Sequence, residues 1–194
     1  MKEGGSMKRI LLAGLLAAIT VHLWGFLSWA ALPWHQATIH SLPNEDAVLA
    51  ALRQHVNTAG VSRFPAEPAL ESDWQAFTEK YQRGPVGMMM YWPQGSNPMS
   101  PQPFVGALLL NLIAATLAAW LLSLAAAGLK DYRRRVAFVA LIGVFAALVS
   151  FLTLWNWRFI PTSYALVMAG ELILTWTLAG LVLAWRIKPA QINA

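Results

Sequence analysis

The sequence predicts an all-α integral membrane protein: a four-transmembrane-helix bundle with a small α-rich external cap between helices 1 and 2. Three observations predict it. Hydrophobic residues make up 57% of the 194 residues and charged residues 12%, with a mean hydropathy of +0.49, outside the range of soluble domains. Four apolar runs, Ile10–Leu32, Phe104–Leu129, Val136–Trp155 and Ile160–Trp185, reach the roughly 20 helical residues that cross a hydrocarbon core. The charges also divide by position. The N-terminal stretch, the loop Lys130–Asp131–Tyr132–Arg133–Arg134–Arg135 and the C-terminal stretch together carry +7. The segment between the first two runs, with Arg158, carries −1, and Glu171 completes the formal +5. That asymmetry puts both termini in the cytoplasm and the long first loop outside.

The segments follow in order. Residues 1–9 are a cytoplasmic tail, and the six residues before Met7 are assigned no fold. Residues 10–32 form the first span. Lys8–Arg9 ahead of it and Ser28–Trp29–Ala30 near its end imitate a cleavable signal peptide, but the apolar run is too long and holds His22, Trp24 and Trp29. An uncleaved anchor is the expectation. Residues 33–103 form the cap, 104–129 the second span, 130–135 the basic cytoplasmic loop and 136–157 the third span. A short external loop, 158–160, leads to the fourth span, 161–185, and a cytoplasmic tail, 186–194. Trp29, Trp34, Tyr91, Trp92, Trp155 and Trp157 make an external aromatic belt. The pairs Gly14/Ala18, Ala115/Ala119, Gly143/Ala147 and Gly180/Ala184 permit close helix approach.

Within the cap, Asn44 reads as an N-cap, Glu45 and Asp46 suit the positive end of a helix dipole, and Gly60 reads as the stop. Val48, Leu49, Leu52 and Val56 form its apolar stripe. A second helix, Ala69–Arg83, carries Leu70, Trp74, Phe77 and Tyr81 on one face. The two stripes either pack on each other or lie on the bilayer surface, and mutual packing is the expectation because neither helix has a strongly basic polar face. Val61–Phe64 and Val86–Trp92 read as short strands that pair.

A carboxylate in mid-membrane is costly, so Glu171, the one charge between Ser163 and Trp185, is expected to face protein, a partner or water. Glu171 lies 15 residues from Arg186, and His22 lies 13 from Arg9. At 1.5 Å per residue the two heights agree to about 3 Å. Thr116 and Ser150 fall at similar depth and Thr175 lies one turn below Glu171. The expectation is one intramembrane polar layer, with Glu171 and His22 meeting across the first and fourth spans. It serves as a proton or ligand site, or as a structural knot fixing helix register.

His35 and His40 offer nitrogen ligands for zinc or copper at the outer surface, although five-residue spacing requires a bent loop. Met88, Met89, Met90 and Met99 read as adaptable apolar packing. Arg158, between Trp157 and Phe159, is placed to bind a lipid headgroup phosphate or to act as an interfacial anchor. The absence of cysteine excludes disulfide staples and a thiol relay. Phosphate-loop, HExxH and nucleophile-elbow motifs are absent, and no cofactor is implied. The basic clusters lack the interleaved aromatics of a nucleic-acid groove, so no nucleic acid is expected.

The run Leu32-Pro-Trp-His35 after a Trp-rich first span, the Gly84–Pro85–Val86 segment and the stretch from Pro161 to Gly180 resemble an uncharacterised bacterial four-span inner-membrane protein family. The resemblance implies the topology above and no activity. The layout, with its large first and small second external loops, is also similar to that of claudins, whose cysteines and signature motif this chain lacks.

The functional expectation is a non-enzymatic inner-membrane accessory protein that binds another membrane protein, or a second copy of itself, through its cap and helix faces. Its other partner is the lipid bilayer. The alternatives are a small transporter or channel subunit using Glu171 and His22, and an external metal-binding protein.

Overall fold

The structure, a computed structural model, describes residues 3–70 and 73–189, with the side chains of residues 3–6 left aside. The start of the N-terminal tail, residues 71–72 of the second cap helix and residues 190–194 of the C-terminal tail lie outside the described residues. The chain is predominantly helical: α1 (Glu3–Ala31), α2 (Glu45–His55), α3 (Trp74–Arg83), α4 (Gln102–Ala125), α5 (Tyr132–Ala147), α6 (Thr153–Arg158) and α7 (Thr162–Arg186), with strands β1 (Gly60–Phe64) and β2 (Gly87–Tyr91). A π turn, Leu148–Leu152, joins α5 to α6, so Tyr132–Arg158 runs as one continuous rod. Four rods, Met7–Ala31, Gln102–Ala125, Tyr132–Arg158 and Thr162–Arg186, are long and apolar enough to cross a membrane. Residues 3–9, expected to lie outside the first span, continue α1 as helix.

Two compact units divide the chain. The first holds α1, α4, α5 and α7, and the second comprises residues 40–98 with Asn156–Phe159.

In the first unit, α1 packs on both α4 and α7, α7 packs on α1 and α5, and α4 and α5 barely touch. Small side chains make these contacts. Ala13, Ala17, Ala18, Ala115, Ala119, Ala179 and Ala184 are buried. A Cβ at Gly143 would stand 2.8 Å from Trp176 Cβ, and one at Gly180 would stand 3.0 Å from the Val136 carbonyl. Glycine is therefore what lets α5 and α7 come together. Large side chains face outward instead: Leu110 is 69% exposed, Phe145 65% and Leu141 63%. Water would penalise this inside-out distribution, whereas lipid would not.

Arg135, read from the sequence as one of the basic-loop charges that set topology, is buried. Its Nε donates to the Ala184 carbonyl at 3.3 Å, and its Nη1 donates to the Leu129 and Lys130 carbonyls at 3.0 and 2.7 Å. Tyr132 Oη donates to the Leu181 carbonyl beside it. The Ala184 carbonyl lies in the last turn of α7 and the Leu129 and Lys130 carbonyls in the loop after α4, so a guanidinium is retained inside because its donors answer carbonyls outside the helix ladders.

The second unit differs from a packed cap. Asn44 precedes α2 in a left-handed backbone and makes no side-chain cap; its carbonyl accepts from the amides of Ala47 and Val48. The helix stops at His55 with Val56 extended, so Gly60 opens β1 rather than ending α2. β1 and β2 pair antiparallel as expected, Val61 opposite Met90 and Arg63 opposite Met88. The expected packing of α2 on α3 is not made. Neither helix has a buried residue, and α2 has no extended contact with another helix or strand. Trp74, Phe77 and Tyr81 instead form a ladder along α3, ring to ring at 5.3 and 5.4 Å.

Candidate functional site

Pro33 ends the first span. It has no N–H to offer the Trp29 carbonyl four residues back. Gln36 Nε2 donates to that carbonyl instead, at 3.1 Å. The chain then turns through a single 3-10 turn, Gln36–Thr38, held by the Ala37 amide on the Pro33 carbonyl and by Thr38 Oγ1 on the His35 carbonyl. This turn folds His35 back against α1. Its ring stacks on Trp29, with centroids 3.9 Å apart and planes within 6°, and meets the edge of Trp34. His35 is 1% exposed and Ser28 is fully buried.

Ser28 is the hub of the cluster. Its Oγ donates to Glu171 Oε2 at 2.9 Å, accepts from Trp34 Nε1 at 3.0 Å and lies 3.0 Å from His35 Nε2. His35 Nε2 and Glu171 Oε2 are themselves 4.0 Å apart. One hydroxyl has one proton and two lone pairs, and here all three are engaged. With Glu171 ionised, Ser28 gives its proton to the carboxylate and His35 Nε2–H must donate to Oγ. One hydroxyl thus bridges the His35 imidazole and the Glu171 carboxyl.

It is not a nucleophilic triad. There the acid orients the base from its far nitrogen, while the hydroxyl stays open to substrate. Here the acid is bound to the hydroxyl, and His35 Nδ1 has no hydrogen-bond partner among the described residues.

The polar layer expected from depth is dispersed. Glu171 joins it to α7, but His22 turns to α4, where Asn111 Nδ2 donates to its Nδ1 at 3.4 Å. The expected Glu171–His22 pair is therefore corrected to Glu171–Ser28–His35. Ser150 Oγ donates to the Ala146 carbonyl within its own helix. Thr116 is the residue against which Gly14 packs, and a Cβ at Gly14 would meet its Oγ1 at 2.5 Å. Thr175 is half-buried on α7. His35 commits Nε2 to Ser28, which leaves Nδ1 as its ring nitrogen without a partner among the described residues, and His40 belongs to the second unit. Among the described residues no group of three or more His, Asp or Glu gathers to hold a metal. Arg158 belongs to the second unit.

Sequence reasoning missed Ser28, set aside as an imitation of a cleavage site, and placed Trp34 only in an aromatic belt. The signal lay in helical phase. Ser28 continues the buried stripe Ile10, Ala13, Ala17, Val21 at three- and four-residue steps, whereas His22 shares a face with Gly14 and Ala18.

What fold and cluster define is a class: a bundle of four helices of membrane-crossing length, with a Ser–His–Glu cluster buried where the first helix turns back. No protein-family model, curated protein or solved structure matches the chain. The resemblance to a bacterial four-span family accordingly stands on the four apolar helices alone.

Proposed function

We propose that this chain is a non-enzymatic, multi-pass inner-membrane protein that binds another membrane protein through its second unit and its outward helix faces. Both termini and the 130–135 loop lie in the cytoplasm, and residues 33–103 lie outside. The four apolar rods and the charge asymmetry support the topology. One observation carries the binding role: among the described residues of the second unit, only Pro65 is buried. The hairpin presents Val61, 64% exposed, opposite Met90, 87% exposed, on one face beside Met88. A lone two-stranded hairpin is marginal in water and leaves its edges unpaired. Methionines on such a face adapt to a partner. The unit's near-neutral charge gives little attraction to an anionic membrane surface, which favours protein as the covering partner. The Ser28 cluster serves this role by fixing the turn from which the chain leaves the first unit. The test is purification from native membranes of wild type and of Val61→Asp/Met90→Asp. A stoichiometric partner that the double variant loses, at unchanged thermal stability, supports the role; equal recovery contradicts it.

A second reading has its own observation. The Ser28-bridged pair of His35 and Glu171 supports a proton-handling subunit of a transporter or channel, with His35 in the place expected of His22. Proteoliposome flux abolished by Glu171→Gln in a folded protein would favour it over the first.

A further inference from the structure

The second unit holds a cavity of about 360 Å³ lined by β1, α3, the start of β2 and the residues that end α6. Two guanidinium groups, Arg63 and Arg158, border it together with the carboxylate of Glu67. Arg63 Nη1 donates to Glu67 Oε2 at 2.8 Å, which uses one of its five donors. Arg158 is in no ion pair among the described residues.

The walls are aromatic and set by backbone. Phe159 adopts φ 57°, the left-handed region that a bulky side chain rarely occupies. Its ring thereby meets Tyr81 at 5.9 Å. Phe64 lies across its hairpin partner Gly87, where a Cβ would come within 2.8 Å of the Phe64 ring. Glycine there gives the Phe64 wall its room. Trp157, 72% exposed, completes an apolar rim. Unusual backbone at a cavity lined by charge is a pattern of binding sites rather than of packing.

We propose that this cavity binds a phosphodiester monoanion of headgroup size. The volume is at the small end of ligand sites, too small for a large cofactor. Guanidinium forks match phosphate oxygens, and the bordering charge of two arginines and one glutamate leaves one positive charge for one negative. Aromatic walls accept the carbon skeleton around the phosphate. The source is an anionic phospholipid such as phosphatidylglycerol, or a soluble glycerophosphodiester carrying the same group. Lipid as the source rests on the membrane-spanning reading above; the phosphate chemistry does not.

The experiment uses the full chain purified in a neutral detergent, with native mass spectrometry to count bound phosphatidylglycerol and glycerophosphoglycerol as the soluble probe. Arg158→Gln should weaken lipid binding about tenfold, and Arg63→Gln/Arg158→Gln should abolish it. Arg83→Gln, at the end of α3 and outside the cavity lining, should leave it unchanged. Gly87→Ala, which crowds Phe64, should weaken it with both arginines present. Competition by glycerophosphoglycerol shows that the headgroup is what is read. Binding of that soluble ester without the lipid would assign the site to water-soluble phosphodiesters. Lipid binding equal in wild type and the double arginine variant, at equal thermal stability, overturns the proposal. Loss of lipid with the partner complex intact leaves the interaction role standing, so the two can fail separately.

Discussion

Ser28 Oγ and Glu171 Oε2, 143 residues apart in sequence, are joined by a 2.9 Å hydrogen bond that ties the C-terminal end of α1 to α7. Ser28 Oγ also accepts from Trp34 Nε1 and lies 3.0 Å from His35 Nε2, so one hydroxyl joins both of these side chains to α7. Buried groups left without a partner cost about 1–3 kcal/mol each. Ser28→Ala should therefore destabilise the protein by about 2–4 kcal/mol, more than Glu171→Gln, whose amide oxygen still accepts from Ser28. Thermal unfolding in detergent measures both. A Ser28→Ala variant as stable as Ser123→Ala, an exposed hydroxyl on α4 that serves only its own helix, would contradict the hub.

The α5–α7 contact predicts a contrast between two glycines. At Gly143 an added methyl would press on the Trp176 Cβ, which cannot swing away, so Gly143→Ala should cost about 1–3 kcal/mol. A Cβ at Gly170 meets nothing within 4 Å, so Gly170→Ala should be neutral or stabilising by up to about 1 kcal/mol. Unfolding curves for the pair check the sign as well as the size.

Arg135 should behave as a structural residue, not a topology charge. Arg135→Gln loses most of three charge-assisted contacts and should cost about 3 kcal/mol, whereas Arg133→Gln, exposed in the same first turn of α5, should cost almost nothing. Arg135→Lys keeps the charge but not the planar fork, and should fall between them. Equal stability of the Arg133 and Arg135 variants would refute the assignment.

The four apolar rods, the strand pair and the small-residue contacts were legible because each rests on a local or periodic pattern: run length, alternation, four-residue spacing. The Glu171 partner was not, because heights counted from Arg9 and Arg186 assume that the charges mark matching levels. Ile10 and Ile187 lie in one buried cluster and give a better datum. From them Ser28 is 18 residues along α1 and Glu171 is 16 along α7, while His22 is only 12. His35 was hidden further, since only the backward turn after Pro33 brings it to α1. The uncovered stripes of α2 and α3 were misjudged because amphipathicity reveals an apolar face without revealing what covers it.

The two faces of α1 can be separated chemically, since the chain has no native cysteine. Ser28→Cys with Glu171→Cys should be joined in membranes by a short bifunctional thiol reagent, and so should His22→Cys with Asn111→Cys. His22→Cys with Glu171→Cys should not. A reversed pattern would restore the depth-matched pair and remove the Ser28 hub.

The most direct measurement of the interaction role is photo-crosslinking in native membranes, with the reactive group placed at Met90 and, as a comparison, at Leu141 on the outward face of α5. The account predicts one discrete protein adduct at position 90, lost when Val61→Asp is added, and a different pattern at 141. Adducts at 90 that are lipid alone, or unchanged by Val61→Asp, would contradict it.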